Sequence, residues 1–246
     1  MEVHAHSHTE RKRFKHYLWE FLMLFLAVFA GFLAENWREH IVEHQREKQY
    51  MRTMLEDLQT DTATIRRVYN LALIQKASLD SLIELGSISP VKKENISELY
   101  MLKGRTNRFL NIRLEDRTSS QLKNAGGMRL IRNTKVSNSI REYWDHEEII
   151  YRVRDRLEMA GENIADVSSR IFYYQYSIPG NEPLDPPIGI KPGAVFIDND
   201  PKLIAEYVNR IASKFLRTRV YLSELESTMQ VANHLIELIK EEYHLK

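Results

Sequence analysis

The pattern of apolar and polar residues separates one continuous apolar segment from several segments that are apolar on one face only. From Phe21 to Ala34 no side chain is charged or strongly polar. Tyr17 and Trp19 lie at one end of this run and Trp37 at the other, as is typical of the two interfaces of a membrane. A helix from Tyr17 to Trp37 rises about 30 Å, which matches the hydrocarbon thickness of a bilayer. The pattern therefore predicts a transmembrane helix.

Two other interpretations of the apolar segment are open. A cleaved signal peptide would use the basic residues 11–15 and a cleavage site at Val28-Phe29-Ala30. Against it, Glu20 lies early in the apolar region and the helical pattern continues past the cut. A buried core helix is the second alternative, but large apolar residues on every face of the helix favour lipid.

The distribution of basic residues predicts the orientation of this helix. Four basic residues cluster shortly before the segment and three follow it more loosely: Arg11, Lys12, Arg13 and Lys15 before it, and Arg38, Arg46 and Lys48 after it. Cytoplasmic flanks carry the excess of Lys and Arg. We therefore expect the N-terminus in the cytoplasm, the body in the periplasm, and the helix in the inner (cytoplasmic) membrane.

Small residues within the segment predict helix association. Ala27 and Gly31 are four residues apart, as are Ala30 and Ala34. This spacing allows two helices to approach closely in lipid. Beyond the lipid bilayer itself, we expect either a second copy of the chain or another membrane protein as a partner.

After the membrane segment the apolar residues recur in steps of three and four, which predicts long helices. The first continues to Gly86, a stop signal that Pro90 reinforces. Its predicted inner positions are Met51, Leu55, Leu58, Ile65, Tyr69, Ala72, Leu79 and Ile83. Two polar residues, Thr62 and Lys76, interrupt this apolar series.

Further helices are predicted over 92–102, within 118–133, over 134–176 and from Pro201 to the end. Asn133 and Asp200 are the N-cap residues of the last two. The Gly126-Gly127 pair predicts a kink or a close helix crossing. The predicted inner positions of the last helix are Ile204, Val208, Ile211, Phe215, Thr218, Leu222, Leu225, Met229, Ala232, Ile236, Ile239 and Tyr243.

These elements predict an all-α fold in which one N-terminal transmembrane helix is continuous with an elongated antiparallel helical bundle. The predicted parts are a cytoplasmic tail (1–16), the transmembrane helix (17–37), a charged helical stalk (38–50) and the bundle (51–246), with a Pro/Gly-rich loop over 177–200.

Composition and charge exclude several classes of function. The chain has no cysteine, which excludes disulfide frameworks, thiol catalysis and cysteine metal sites. Lys and Arg total 35 and Asp and Glu total 34, so no basic excess favours a nucleic-acid partner.

The sharpest chemical motif is His40-Ile41-Val42-Glu43-His44, which matches the inverted zinc-peptidase signature. His40 and His44 would share one face of a helix and could hold a metal, with Glu115 as a third ligand. A solvated, highly charged stalk offers no closed pocket for a catalytic zinc. His4, His6 and His8 in the tail are a second candidate metal site. We expect no enzyme activity, no cofactor and no metal.

An aromatic run precedes the Pro/Gly-rich loop. It contains Phe172, Tyr173, Tyr174 and Tyr176. Aromatic residues are enriched at interfaces, so these rings are a candidate partner-binding tip. The alternative is that they pack the end of the bundle.

Several short motifs together resemble a known family. They are Ala34-Glu35-Asn36-Trp37, Gln121-Leu122-Lys123, Gly126-Gly127, Leu130-Ile131 and Tyr143-Trp144. The chain is similar over residues 11–176 to an uncharacterised single-pass membrane protein family of Bacteroidota, a domain of unknown function. The resemblance implies this topology and carries no activity.

The sequence thus favours a membrane-anchored, non-enzymatic scaffold or assembly subunit that acts through helix–helix contacts as a homo-oligomer. The first alternative is an extracytoplasmic sensory or ligand-binding module that signals through a separate partner. The remote alternative is the zinc peptidase.

Overall fold

The structure is a computed structural model that describes residues 14–88, 90–124, 126–180 and 187–245. It confirms the all-α class. The α-helices of the described residues are α1 (Phe14–Gly86), α2 (Ile96–Thr106), α3 (Arg117–Asn124), α4 (Thr134–Ile171) and α5 (Pro201–Tyr243). The chain forms two compact units, Met1–Gln49 and Tyr50–Lys246, which are described separately.

The first unit contains the N-terminal part of α1. By length and composition, α1 is the one helix of the described residues that could cross a membrane, and its apolar window is wholly unburied. From Phe14 to Trp37 every residue of the helix is exposed. The rings of Phe21, Phe25 and Phe29 stack along one side, with centroids 6.3 and 5.9 Å apart.

The second unit is a bundle, and its core clusters give the helix directions. Leu79 of α1 shares a cluster with Ile164 of α4 and Ile204 of α5. At the opposite end, Met54 shares a cluster with Ile140 and Ile239. The second half of α1 therefore runs parallel to α4, and α5 runs antiparallel to both.

The remaining bundle position is filled by a chain that is not one helix. α2 contributes Leu99 to the first of these clusters and α3 contributes Leu122 to the other. Residues 107–116 join them without regular secondary structure. Leu110, Ile112 and Leu114 are buried and the residues between them are exposed, which is the alternation of an extended chain. The bundle is thus up-down-up-down with its second member interrupted at mid-height.

Most predicted helix ends are confirmed, because local chemistry sets them. The Asn133 side chain accepts hydrogen bonds from the backbone N–H groups of Lys135 and Val136, and the Asp200 side chain accepts one from Lys202. At Gly86 a Cβ atom would lie 2.8 Å from Val208 Cγ2, so this stop residue also allows a close packing contact.

Two predicted boundaries are wrong. α2 begins four residues later than predicted, because a 3₁₀ turn over Lys93–Asn95 precedes it. α4 ends at Ile171, where the chain turns extended, and not near residue 176. The glycine pair predicted to kink the chain within 118–133 follows the end of α3 at Asn124, and Gly126 adopts the left-handed conformation (φ 64°). A side chain at Gly127 would contact Leu122, so this glycine pair allows a close approach to the preceding helix.

The 177–200 segment is a loop that includes a small antiparallel pair of strands, β1 (Ser177–Ile178) and β2 (Gly189–Ile190). An isolated bridge between Phe172 and Phe196 extends the pairing on one side. Residues 181–186 of this loop lie outside the described residues.

The most deeply buried residues of α1 and α5 follow a strict heptad. At every second step the buried residue lies one position before the residue that was predicted. In α1 the series is 0–2% exposed throughout: Met51, Met54, Leu58, Asp61, Ile65, Val68, Ala72, Gln75, Leu79 and Leu82. In α5 the equivalent buried series is Ile204, Tyr207, Ile211, Lys214, Thr218, Tyr221, Leu225, Thr228, Ala232, Leu235 and Ile239. Phe215 and Met229, predicted to be inner residues, are only partly buried. Polar side chains therefore occupy core positions.

These polar positions divide the core into levels. The apolar residues form three clusters, one at each end and one at mid-height around Ile65, Ile150 and Tyr221. Asp61 lies on α1 between two clusters, and Gln75 lies between the next two. We name the level of Asp61, Tyr143 and Glu147 the acid layer. The level of Gln75, Lys214 and the Thr106 carbonyl is the lysine layer.

Candidate functional site

The interrupted segment 107–116 is the reason that the core contains polar side chains. A helix satisfies its own backbone groups, whereas an extended chain without a neighbouring strand needs other partners. In the second unit, side chains of the long helices supply these hydrogen-bond partners. Tyr221 donates to the Leu110 carbonyl at 3.2 Å, and the Tyr151 hydroxyl accepts from the Leu114 N–H at 3.0 Å. Both layers serve the same purpose at the two ends of this segment.

In the acid layer, Asp61 is 1% exposed and both of its oxygens are hydrogen-bonded. Oδ1 accepts from the Glu115 N–H at 2.8 Å, and Oδ2 accepts from the Tyr143 hydroxyl at 2.7 Å. Burial raises the pKa of Asp61 to about 6, against the opposing effect of the two hydrogen bonds. One turn earlier, Asp57 accepts from the N–H and the hydroxyl of Thr118 and fixes the start of α3.

Glu147 is the second carboxyl of the acid layer. Burial, followed by the negative charge of Asp61, raises the pKa of Glu147 to about 7. It lines a surface groove of about 540 Å³. On the wall of this groove the Lys123 ammonium lies 4.4 Å from the centre of the Trp144 ring. The groove is polar and open, and the acid layer is closed by partners within the protein.

The lysine layer is less complete. Gln75 is 2% exposed and donates through Nε2 to the carbonyls of Thr106 and Arg108, at 3.1 and 2.8 Å. Lys214 is 5% exposed and donates through Nζ to the same Thr106 carbonyl at 2.7 Å. Oε1 of Gln75 has no hydrogen-bond partner among the described residues.

Burial is also what determines the charge state of Lys214. It lowers the pKa of the Lys214 ammonium to about 8. Among the described residues no Asp or Glu forms an ion pair with Lys214. The ammonium is therefore a buried cation at neutral pH whose one acceptor among the described residues is the Thr106 carbonyl.

A cavity of about 260 Å³ lies beside the lysine layer. Part of it exists because Gly161 has no side chain, since a Cβ there would approach only Lys214 Nζ, at 3.4 Å. The wall consists of Gln75, Asn107, Arg108, Phe109, Leu110, Arg154, Leu157, Glu158, Gly161, Glu162, Ala165 and Lys214. This combination of a partly open pocket and a buried ammonium with no ion-pair partner among the described residues is the strongest candidate site in the second unit.

The residues predicted to mediate contact in the membrane are all exposed in the first unit. They are Ala27, Ala30, Gly31 and Ala34. A Cβ at Gly31 would meet no atom within 4 Å. Their role in association stays a prediction.

The structure does not bring the candidate metal-binding histidines together into a site. His44 Nδ1 lies 3.5 Å from Glu47 Oε2, three residues away on the same helix. Within the described part of the chain, no group of three or more His, Cys, Asp or Glu side chains could hold a metal ion, and His40 and His44 form no such group with their neighbours in the first unit. His4, His6 and His8 lie outside the described residues.

The aromatic run divides between core and surface. Phe172 is buried, with its ring 4.9 Å from Tyr100 and 5.4 Å from Tyr207, measured between centroids. Tyr176 is partly buried, Tyr173 is 39% exposed and Tyr174 is 83% exposed. Phe172 therefore packs the end of the bundle, and a partner-binding role stays a prediction for the outward-facing tyrosines.

The sequence interpretation missed Asp61, Gln75 and Lys214. Each lies one position before a residue that the prediction used: Thr62 and Lys76 were breaks in the predicted series, and Phe215 was one of its inner positions. A repeat that leaves Met51 or Ile204 with a step of three instead of a step of four would have selected the polar residues. The apolar Phe215, next to Lys214, favoured the step of four.

Comparisons of this chain with protein-family models, with curated proteins and with solved structures find no match. The resemblance drawn from the sequence motifs therefore stays a prediction, and the function has to be argued from the geometry.

Proposed function

We propose that the protein is a membrane-anchored, non-enzymatic assembly subunit that associates through the small face of its apolar helix. The observation that carries the proposal is the wholly exposed apolar surface of α1 from Phe14 to Trp37. Soluble proteins rarely expose a contiguous apolar surface larger than several hundred Å². Lipid and a second helix are the environments that cover such a surface.

The two sides of this helix differ in a way that supports association. At 3.6 residues per turn, Ala27, Ala30, Gly31 and Ala34 share one face, and the stacked rings of Phe21, Phe25 and Phe29 lie on the opposite face. Small residues allow close backbone approach between helices, and bulky aromatic rings suit lipid chains. The small face therefore contacts a second copy, and the phenylalanine ridge faces lipid.

The test is the mass of the complex extracted from the membrane in a mild detergent. Gly31→Leu places a bulky side chain on the small face and is expected to convert the oligomer to a monomer. Phe29→Trp adds bulk on the opposite face and is the matched control, which should leave the mass unchanged. A monomeric unmutated chain, or equal behaviour of the two variants, rejects the proposed contact.

The proposed orientation places the N-terminus in the cytoplasm and the bundle in the periplasm, as the basic residues before the helix favour. The absence of native cysteine makes single-cysteine labelling clean. A membrane-impermeant maleimide should label Ala63→Cys in spheroplasts, whereas Ser7→Cys should react only after lysis. The reverse pattern would place the bundle in the cytoplasm.

One observation favours a second function, that of a ligand-binding module. The cavity lies beside Lys214, a buried ammonium that forms no ion pair among the described residues. In this function the bundle binds a small molecule, and a separate membrane partner transmits the signal.

A further inference from the structure

The cavity at the interruption of the bundle has a chemistry that specifies its ligand. The starting point is Lys214, a buried ammonium that has no carboxylate partner among the described residues. A buried charge without a counter-ion is strongly disfavoured. Nζ uses one N–H on the Thr106 carbonyl, so two N–H groups are available. The group that would complete this site is an anion.

Gln75 holds the acceptor of Lys214 in place. Its Nε2 donates to two backbone carbonyls, which fixes the orientation of the amide. Because Gln75 and Lys214 donate to the same Thr106 carbonyl, the two side chains are neighbours on the cavity wall. Oε1 of Gln75 is fully buried and has no partner among the described residues, so a ligand in the cavity does not reach it. The ammonium of Lys214 is therefore the buried group that an anion would meet.

The wall sets the charge of the ligand. Two arginines and two glutamates line the cavity besides Lys214: Arg108, Arg154, Glu158 and Glu162. These four charges balance, so the cavity as a whole carries about one positive charge from Lys214 at neutral pH. A single negative charge matches this balance, whereas the two glutamates oppose a doubly charged phosphate ester.

The size and the apolar part of the wall set the body of the ligand. A volume of about 260 Å³ corresponds to roughly eight or nine water molecules, enough for a molecule of about ten non-hydrogen atoms. Leu110, Leu157 and Ala165 supply apolar surface, and Gly161 leaves the space beside Nζ open. These features suit a short aliphatic chain.

We infer that this cavity binds a small aliphatic monocarboxylate. The carboxylate pairs with Lys214, and the aliphatic chain lies against the leucines. This inference rests on the ligand-binding function proposed above and is independent of association in the membrane.

The first experiment is titration calorimetry on the full chain in detergent with four compounds of similar shape. The acids 4-methylpentanoate and 2-hydroxy-4-methylpentanoate carry one negative charge, leucine is a zwitterion with no net charge, and 3-methylbutylamine lacks the carboxylate. We expect binding of the two acids, binding of leucine that is about tenfold weaker because its ammonium would lie close to the Lys214 ammonium, and no heat with the amine.

Two variants test the site. Lys214→Met keeps the length and removes the charge, and Gly161→Leu fills the space beside Nζ with a good helix former. Both should abolish binding while circular dichroism shows an unchanged helix content. Lys202→Met, at an exposed position on the same helix, is the matched control and should bind as the unmutated chain does.

Three results would overturn the inference: no binding by any acid, equal binding of the amine, or full binding by Lys214→Met. Equal affinity for leucine and the two acids would overturn the requirement for a net negative charge. The mass of the complex is measured on the same samples. Because Gly31→Leu should change that mass and retain ligand binding, failure of the cavity and failure of the membrane contact give different results.

Discussion

The acid layer and the lysine layer hold the two ends of the same interrupted segment, but they are completed differently. In the acid layer, both oxygens of Asp61 accept hydrogen bonds from within the protein. In the lysine layer, the Lys214 ammonium has one carbonyl acceptor, and Gln75 Oε1 has no partner among the described residues. A layer completed from within stabilises the fold, whereas a layer with unmet groups beside a cavity is suited to a molecule from outside.

The layers also respond to pH in opposite directions. A carboxyl whose pKa is raised in the folded state binds its proton more tightly there than in the unfolded chain, so stability falls as the pH rises past its ordinary value. An ammonium whose pKa is lowered in the folded state has the reverse effect, so stability increases as the pH rises through that range. The following predictions use this contrast.

The largest expected effect is a minimum in stability near neutral pH. The pKa of Asp61 rises from 3.8 to about 6 and that of Glu147 from 4.5 to about 7, so stability should fall between about pH 4 and pH 7. The pKa of Lys214 falls from 10.5 to about 8, so stability should recover above about pH 8. The acidic limb, to which two groups contribute, amounts to on the order of 6 kcal/mol, and the alkaline limb, from Lys214 alone, to on the order of 3 kcal/mol.

Denaturant unfolding of the full chain in detergent, followed by circular dichroism across this range, measures both limbs. Asp61→Asn should reduce the acidic limb to the part that comes from Glu147 and leave the alkaline limb unchanged. The alkaline limb also has to be interpreted with the other charged groups that line the same cavity. They are Arg108, Arg154, Glu158 and Glu162. A monotonic profile would contradict the assignment of opposite signs to the layers.

Tyr143→Phe tests how the acid layer is completed. Its hydroxyl is the donor to Asp61 Oδ2, so its loss leaves one buried oxygen without a partner and should lower the free energy of unfolding by about 2 kcal/mol at pH 7. The pKa of Asp61 should rise further, which moves the acidic limb to higher pH. Tyr69→Phe, on the partly exposed side of α1, is the control and should change stability by less than about 0.5 kcal/mol. Equal effects of the two substitutions would show that the hydroxyl of Tyr143 is not important.

Lys214→Met gives the opposite sign in the lysine layer. Replacing an unpaired buried cation with an apolar side chain of similar length should raise the free energy of unfolding by about 1–2 kcal/mol at pH 7. The Thr106 carbonyl keeps its hydrogen bond from Gln75, and the alkaline limb should disappear. Destabilisation by this variant would mean that Lys214 holds the segment in place, as the acid layer does.

Gly161→Ala has the smallest expected effect. Alanine favours the helix over glycine by up to about 1 kcal/mol, and its Cβ would lie 3.4 Å from Lys214 Nζ, an ordinary contact. Stability should therefore increase by about 0.5–1 kcal/mol, as measured by the same denaturant unfolding. A loss of stability would indicate that the space beside Nζ is already needed by the protein.

Part of the fold could be predicted from neighbouring residues alone. The N-caps at Asn133 and Asp200 and the stop at Gly86 depend on side chains within a few residues of each helix end. The register of the buried stripes could not be predicted in the same way. At every second step of the heptad, either of two adjacent residues could be the buried one. At 214 and 215 the apolar Phe215 fits the pattern better, and Lys214 is the residue that is buried.

The candidate site itself gave no local signal. Gln75 and Lys214 both donate to the Thr106 carbonyl. They lie 31 and 108 residues from Thr106 along the chain. Nothing near any of them in the sequence indicates a shared carbonyl or a cavity. The same is true of Asp61, whose partners Glu115 and Tyr143 lie on other elements.

The sequence by itself determined the all-α class, the apolar helix with its small and aromatic faces, and most helix ends. These features depend on periodicity and on contacts within a few residues. Only the tertiary structure decided that residues 107–116 are extended within a helical bundle. That interruption exposes backbone groups which no local partner can satisfy, so polar side chains of three distant helices turn inward. The incompletely satisfied end of this arrangement is the cavity beside Lys214.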